Sequence, residues 1–332
     1  MRVLVTGGAG FIGSHTVVAL MEAGHEPVVI DNLVNADRSV IGRVGEIIGT
    51  APEFHEVDIR DPDSVAAIAA DGFDACIHFA ALKAVGESVE DPLRYYENNV
   101  GGTVSLLEVL LDAGVSNFVF SSSATVYGDS EELPFREGMA VGSATNPYGW
   151  TKIVMERVLA DVQVANPGWS VSLLRYFNPV GAHPTGLIGE DPRGVPNNLM
   201  PYIARVAAGL LPRVKVFGGD YPTPDGTGVR DYIHVTDLAT GHVSALDQRA
   251  DEPGVHVYNL GTGQGHSVLE VIKTYEEESG RPVPYEIVDR RAGDVAASWA
   301  DVTKARDDLG WASTKDLAAM CADSWRWQQK AR

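Results

Sequence analysis

Tyr148 and Lys152 stand four apart in the run Asn146-Pro147-Tyr148-Gly149-Trp150-Thr151-Lys152. On a helix entered through Asn146-Pro147, that spacing puts a phenol and an ammonium on one face. A free tyrosine, with a pKa of about 10, is a poor base at neutral pH. A nearby ammonium stabilises its phenolate and lowers that value, and the positive ring of an oxidised nicotinamide would lower it further. Such a tyrosine can take a hydroxyl proton while a dinucleotide takes the hydride from the same carbon. Ser123, closing the run Phe120-Ser121-Ser122-Ser123, can hydrogen-bond the reacting oxygen. A tyrosine four residues before a lysine is common by chance, so its weight depends on what else the chain positions around it.

A glycine-rich turn supplies that context. Gly7, Gly10 and Gly13, with Phe11 and Ile12 between the last two, follow the apolar run Val3-Leu4-Val5 and open a helical pattern. The tight turn needs residues without Cβ, a pyrophosphate must approach the backbone closely, and the helix N-terminus supplies amide donors and a positive dipole end. Asp31 ends the next apolar run, 18 residues past Gly13, close to the ~20 expected of an acid that accepts from ribose hydroxyls. A carboxylate there repels a 2′-phosphate, which favours NAD over NADP. Asp58, in Val57-Asp58-Ile59, can meet an adenine amino group. The small residues of His78-Phe79-Ala80-Ala81 let a cofactor pass over a strand tip, and Lys83 can reach ribose or phosphate.

These residues need a parallel sheet to hold them. Strand patterns fall at about 2–6, 27–31, 53–58, 75–80, 117–122 and 171–177, with helical patterns near 12–23, 62–70, 92–113 and 148–165. The alternation predicts an α/β chain with a doubly wound parallel sheet of the Rossmann type. Gly24 is placed to cap the first helix, whereas Gly101 and Gly102 strain, crowd or break the one at 92–113. After Asn178 the chain becomes rich in Pro and Gly, with one convincing helix at 199–209 and a strand at 214–217. Regular patterns then resume as a helix at 236–247, a strand at 255–260 and a helix at 267–279. The expected division is a dinucleotide-binding domain over 1–178, with part of 236–262 returning to it, and a smaller, discontinuous substrate domain over 179–235 and 263–332.

Composition narrows the partners. The formal net charge of −19 repels phosphate backbones and anionic lipid, which argues against nucleic-acid and membrane-surface partners. Two cysteines, Cys76 and Cys321, give neither a disulfide framework nor a metal spacing, and no metal site is expected. The chain shows no signal-peptide pattern and no apolar run near the ~20 residues of a bilayer span, so a cytoplasmic location is expected. The acidic run Glu276-Glu277-Glu278 reads as a solvated helix end.

The chain resembles the extended short-chain dehydrogenases/reductases, and within them the UDP-sugar 4-epimerases. The resemblance rests on VTGGAGFIGSHT, DNLVNADRSV, IHFAALKAVGES, NNVGGT, FSSSATVYG, NPYGWTK, LLRYFNPVGAHP, PNNLMPYI, DGTGVRDYIHV, YNLGTG and RRAGD, which run nearly end to end. It implies a homodimer that interconverts UDP-glucose and UDP-galactose around a permanently bound NAD, with Tyr148, Lys152 and Ser123 as the catalytic groups. It adds Asn32, Asn35, Ile59, Asn98 and Phe177 to the cofactor contacts. It assigns the UDP-sugar to Tyr176, Asn178, Asn198, Leu199, Phe217, Arg230, Tyr232, Arg291 and Asp294, with Lys83, Ser123 and Tyr148 shared between the two ligands. Arg230 and Arg291 suit a pyrophosphate in an acidic protein, since each offers bidentate geometry. Ser298 stands where some members of the family carry a bulky tyrosine, and its small side chain leaves room for a 2-acetamido group. UDP-N-acetylglucosamine and its galacto epimer are therefore further expected substrates.

Two other readings compete. A sugar-nucleotide 4,6-dehydratase shares the first hydride step but needs an acid and a base, typically Asp-Glu, directly after the catalytic serine or threonine. Those positions are Ala124 and Thr125 here. A non-catalytic dinucleotide sensor would keep the glycine turn and lose the Tyr/Lys pair, whereas this chain keeps both.

Overall fold

The computed structural model describes residues 1–130, 132–291 and 293–331. Its strands, in chain order, are β1 (Arg2–Thr6), β2 (Glu26–Asp31), β3 (Glu53–Glu56), β4 (Ala75–His78), β5 (Asn117–Ser123), β6 (Ser170–Tyr176), β7 (Asn178–Val180), β8 (Val214–Phe217), β9 (Val229–His234), β10 (Gly254–Leu260), β11 (Gly265–Ser267), β12 (Tyr285–Val288) and β13 (Ala297–Ser298). Seven of them form one sheet in the order β10-β6-β5-β4-β1-β2-β3, and every pairing in it is parallel. Val3, Leu4, Val5, Val28, Val29, Cys76 and Ile77 are all fully covered, as expected where helices lie on both faces of a parallel sheet. This is the expected Rossmann-type architecture.

The order reverses between β1 and β4, so the crevice beyond their C-terminal ends is where a ligand of such a sheet sits. Helix Phe11–Glu22 leaves β1 on one side of that point, and helix Pro147–Ala165 descends between β5 and β6 on the other. The latter is well started: Pro147 stands in its first turn and the Asn146 side chain accepts from Gly149 N at 2.9 Å.

Several elements depart from the sequence expectation, among them helices Val85–Glu90, Thr303–Leu309 and Leu317–Lys330; two departures lie close to the site. Residues 39–48 form an additional helix, Ser39–Ile48. Its glycines, Gly42 and Gly45, weaken the local signal, and docking of Ile41 and Val44 into the core overrides that deficit. The helical pattern at 92–113 is interrupted: helix Pro92–Tyr96 passes through a π-helical turn, Glu97–Gly101, into helix Gly102–Asp112. Close packing accounts for Gly102, because a Cβ there would meet Ile59 at 3.0 Å. π-Turns of this kind recur at functional sites.

β9 organises the remainder. It pairs with β7 and β13 in parallel and with β11 in antiparallel register, while β12 and β8 form a separate parallel pair. Helices Leu199–Ala207, Val268–Ser279 and Leu317–Lys330 enclose a second core around Ile203, Val271, Tyr275 and Met320. Strand β10 returns to pair with β6, and Ala305, Leu309 and Trp311 also share the core of the large sheet. Among the described residues, no helix is long and apolar enough to cross a membrane.

Candidate active site

The glycine turn is shaped by what cannot fit into it. Gly7 has φ +69°, and a Cβ on it would come within 2.7 Å of Ala80 N; a Cβ on Gly13 would lie 2.3 Å from Gly7 O. The following helix starts at Gly10 with no side-chain cap and no acidic residue in its first turn. Its first amides are therefore left for an anion. Asp31 accepts from Ala9 N at 3.1 Å and from Leu33 N at 2.8 Å, tying the turn to the next loop. Burial raises the pKa of its carboxyl, and those two N–H bonds oppose the rise. A cradle only glycine can line, free helix-terminal donors and a carboxylate at the β2 tip fit a dinucleotide.

Neighbouring residues extend this end. Asn32 Nδ2 donates to Asp58 Oδ2 at 2.8 Å. The hydrogen bonds from Arg60 hold the Asp58 carboxyl far below the usual carboxylate range. Phe11 and Ile12 are half-buried in the first turn, and Asn35 is exposed on the loop after Asp31. Phe79 lies with its ring centroid 4.8 Å from that of His242. Ala80 N, which underlies Gly7, donates to Thr6 Oγ1, and Ala81 follows it half-buried. Ile59 is buried beneath Gly102, so only its backbone can face a ligand.

A buried chain of hydrogen bonds ties these tips to the catalytic helix. The Thr103 hydroxyl donates to Asn99 O at 2.6 Å, so it accepts from His78 Nε2–H at 2.9 Å; His78 Nδ1 then accepts from the Thr6 hydroxyl at 2.6 Å. Asn99 accepts from Leu82 N at 2.8 Å and donates to Leu82 O at 2.9 Å and to Thr151 Oγ1 at 3.2 Å. Asn98 donates to Asn99 Oδ1 at 3.0 Å. The π-helical turn thus fixes the loop after β4 against the helix that carries Tyr148 and Lys152. Asn99 is a residue that sequence reading missed.

Lys152 is 4% exposed. Its ammonium donates to Ser121 O at 2.6 Å and lies 4.8 Å from the Phe120 ring centroid and 5.9 Å from that of Tyr148. Burial pushes its pKa down to about 7, against the pull of the Glu156 carboxylate. Tyr148 is half-buried, and burial pushes its hydroxyl up to about 12, opposite to the lowering expected from a neighbouring ammonium, with the nearby Ser123 hydroxyl partly offsetting the rise. Ser123 Oγ accepts from Thr125 N at 3.2 Å and from Thr125 Oγ1 at 3.0 Å, which leaves its own proton to donate. One turn beyond Lys152, Glu156 grips Arg175 of β6 with bonds of 2.9 and 2.6 Å and accepts from Ser122 Oγ at 2.5 Å. This buried pair, also missed from sequence, locks the catalytic helix to β5 and β6. The Tyr176 hydroxyl is engaged with His242 Nε2, and Phe177 is buried in a small cluster with Val126, Tyr127 and Phe135.

The remaining predicted residues gather around β9. Asn178 is in register with Tyr232, and Ser298 of β13 with Arg230. Asp294 accepts from Arg291 at 2.9 Å and lies 4.0 Å from the Arg230 guanidinium; Arg291 sits 5.6 Å from the Phe217 ring centroid. Tyr232 is buried. Asp231 secures this arrangement by accepting from Thr262 N, Gly263 N and Ala300 N at 2.8, 3.0 and 3.1 Å. Asn198, just before the half-buried Leu199, donates to Glu190 Oε1 at 2.7 Å, and Lys83 Nζ donates to the same oxygen at 3.2 Å. Glu190, in a stretch rich in Pro and Gly, carried no sequence signal.

The model of the NAD dependent epimerase/dehydratase family matches residues 3–261. A UDP-glucose 4-epimerase of Yersinia pestis is 55% identical over 331 residues, which cover 99% of this chain and 98% of that protein. Among solved structures, a UDP-glucose 4-epimerase of Stenotrophomonas maltophila with bound NAD and formylated UDP-arabinopyranose is 54% identical. It superposes with a TM-score of 0.98 over 100% of this chain and 98% of that one. The UDP-glucose 4-epimerase of Bifidobacterium longum in complex with NAD+ and UDP is 52% identical, with a TM-score of 0.96 over 99% and 98% of the two chains. With a family model matching most of its length and relatives of this identity over nearly all of it, the chain belongs to the NAD dependent epimerase/dehydratase family.

Proposed function

We propose that this chain interconverts UDP-glucose and UDP-galactose by inverting C4 of the hexose. The observation that carries the reading is the Tyr148–Lys152–Ser123 group at the tip of β5, in a chain so similar over its full length to UDP-glucose 4-epimerases. NAD, held by the Gly7–Gly13 turn and Asp31, would supply the acceptor and, on return, the donor of the C4 hydride. Tyr148 takes the O4 proton, directly or through Ser123, as C4 becomes a ketone, and gives it back when C4 is reduced from the other face. Lys152, fixed by Ser121 O, adds positive charge beside the phenol and favours its ionised form. Arg230 and Arg291 bind the diphosphate, Asp294 accepts from the ribose, and Phe217 with Tyr232 flanks the uracil. The 4-keto sugar then turns about its bond to this fixed anchor. Asn178, Asn198, Leu199 and Tyr176 complete the substrate contacts in this reading. The 4,6-dehydratase reading is not favoured: Ala124 and Thr125 hold no acid or base, and the Thr125 hydroxyl is committed to Ser123.

The reading extends to organisation. Residues 1–178 with part of 236–262 form the NAD-binding domain, and 179–235 with 263–332 the UDP-sugar domain, whose segment at 303–311 packs back on the large sheet. A homodimer is supported by Val89 and Leu93, apolar yet 62% and 79% exposed, and by exposed Tyr96, Val104 and Trp150 on nearby helices. A cytoplasmic location suits two unpaired cysteines. The small side chain at Ser298, in register with Arg230, supports acceptance of 2-acetamido sugars.

The test is epimerisation of UDP-galactose and UDP-N-acetylgalactosamine side by side by the purified protein without added NAD. Turnover of UDP-galactose is expected, with N-acetylated turnover within about tenfold of it. No turnover of either after NAD is supplied would refute the epimerase reading, and turnover of UDP-galactose alone would remove the role given to Ser298.

A further inference from the structure

The segment 190–198, between β7 and helix Leu199–Ala207, reaches across the molecule to the loop that follows Asp31. Arg193 donates there to three main-chain carbonyls: Val34 O at 2.9 Å, Leu33 O at 3.2 Å and Ala36 O at 3.0 Å. These acceptors belong to an irregular loop whose Leu33 and Ala36 side chains pack against the large core and whose Asn32 bonds Asp58. Leu33 has φ 58°, a left-handed conformation costly for a side chain of its kind, and its amide is held by Asp31 Oδ1. Its main chain is held at the start by the ribose carboxylate, and the carbonyls of residues 33, 34 and 36 are gathered by one guanidinium.

The segment is itself anchored. Arg205 donates to Pro192 O at 2.8 Å and to Gly194 O, and Trp327 Nε1 donates to Glu190 O at 3.2 Å. Glu190 holds Lys83 from the same stretch. One short piece of chain thus grips two separate parts of the nucleotide site. A guanidinium suits the task, because its planar fork serves several carbonyls at once whereas an ammonium is a compact point charge.

We propose that Arg193 is a positioning residue that latches residues 33–36 over the adenosine end of bound NAD and sets the rate at which NAD leaves. This rests on the cofactor reading above. In a reaction without net redox the cofactor ends each cycle in its starting state, so nothing requires it to depart, and a latch on its adenosine end costs no turnover.

The test compares wild type, Arg193→Met and Arg205→Met as purified. NAD content is measured after gel filtration, and NAD release is timed on dilution into an enzymatic trap for free NAD. Arg193→Met should release NAD about tenfold faster, as expected when several hydrogen bonds from a charged donor are lost. Its kcat with saturating added NAD and its KM for UDP-galactose should stay within about twofold of wild type. Arg205→Met, which loosens only the anchor, should change release in the same direction by about threefold. Release from Arg193→Met within twofold of a NAD-loaded wild type overturns the latch alone. So does a parallel fall in kcat, which would mark a general structural defect. A wild type that neither carries NAD nor takes it up overturns the cofactor reading, and the latch with it.

Discussion

The two ends of this site are built on different principles. Around β5, the side chains that set the chemistry are fixed by buried partners: Lys152 by Ser121 O, His78 by two threonines, Asn99 by the loop after β4, Glu156 by Arg175. Around β9, buried Asp231 fixes the backbone, but the groups assigned to the diphosphate and ribose hold one another near solvent; the Arg291 side chain is 58% exposed and its partner Asp294 21%. Buried, fully satisfied networks fix one geometry, whereas exposed ion pairs contribute little and exchange readily. The difference suits a cofactor that stays and a substrate that must leave in every cycle. Chemistry is set where the protein is stiff, and binding where it is open.

The sharpest way to break that contrast is at Tyr148. Tyr148→Phe should lower kcat by about 10³-fold, in the range expected for loss of a general acid–base group. NAD content should be unchanged, as measured on the purified protein; near-normal turnover would remove the assigned role. A smaller effect is expected at the open end. Arg291→Ala should raise the KM for UDP-galactose by about tenfold with kcat nearly intact, because the contact serves ground and transition states alike. A fall in kcat with unchanged KM would place chemistry, not binding, at Arg291.

The smallest effect concerns acid. Burial pushes the pKa of His15 and His78 down to about 3 and of His242 to about 4; they pack against Phe11, Thr6 and Phe79 respectively. Between pH 6.5 and those values the unfolded chain binds protons that the folded chain refuses, so stability falls as pH falls through this window. His78→Gln keeps a donor and an acceptor but does not titrate. In urea unfolding of NAD-free protein between pH 6 and pH 4.5, it should flatten the pH dependence by about one proton, or about 1.4 kcal/mol per pH unit. An unchanged slope would mean that His78 is already charged in the fold.

The same contrast decides what could be read from sequence. Gly7, Gly13, Asp31, Tyr148 and Lys152 are legible because local rules place them: a turn that excludes Cβ, a strand end, a four-residue helical spacing. The parallel strands are legible as apolar runs. Glu190, Arg193 and Asp231 are not, since their partners lie far away in sequence and in loops without period: Arg193 bonds carbonyls 157 to 160 residues earlier. Strands as short as Ala297–Ser298 leave no pattern either. Arg230 and Arg291 sit between these cases, resembling surface arginines until a family motif gives them a role.

Strand β10 has a consequence for synthesis of the chain. It joins the sheet beside β6 after an interval in which β7, β8 and β9 are made. As the chain emerges, the edge of β6 stays unpaired until residue 260 has cleared the ribosome, and such an open edge invites pairing with other chains. The long sequence separation of this closure slows it as well. The exposure of an unpaired edge during synthesis is therefore concentrated in the stretch between β6 and β10.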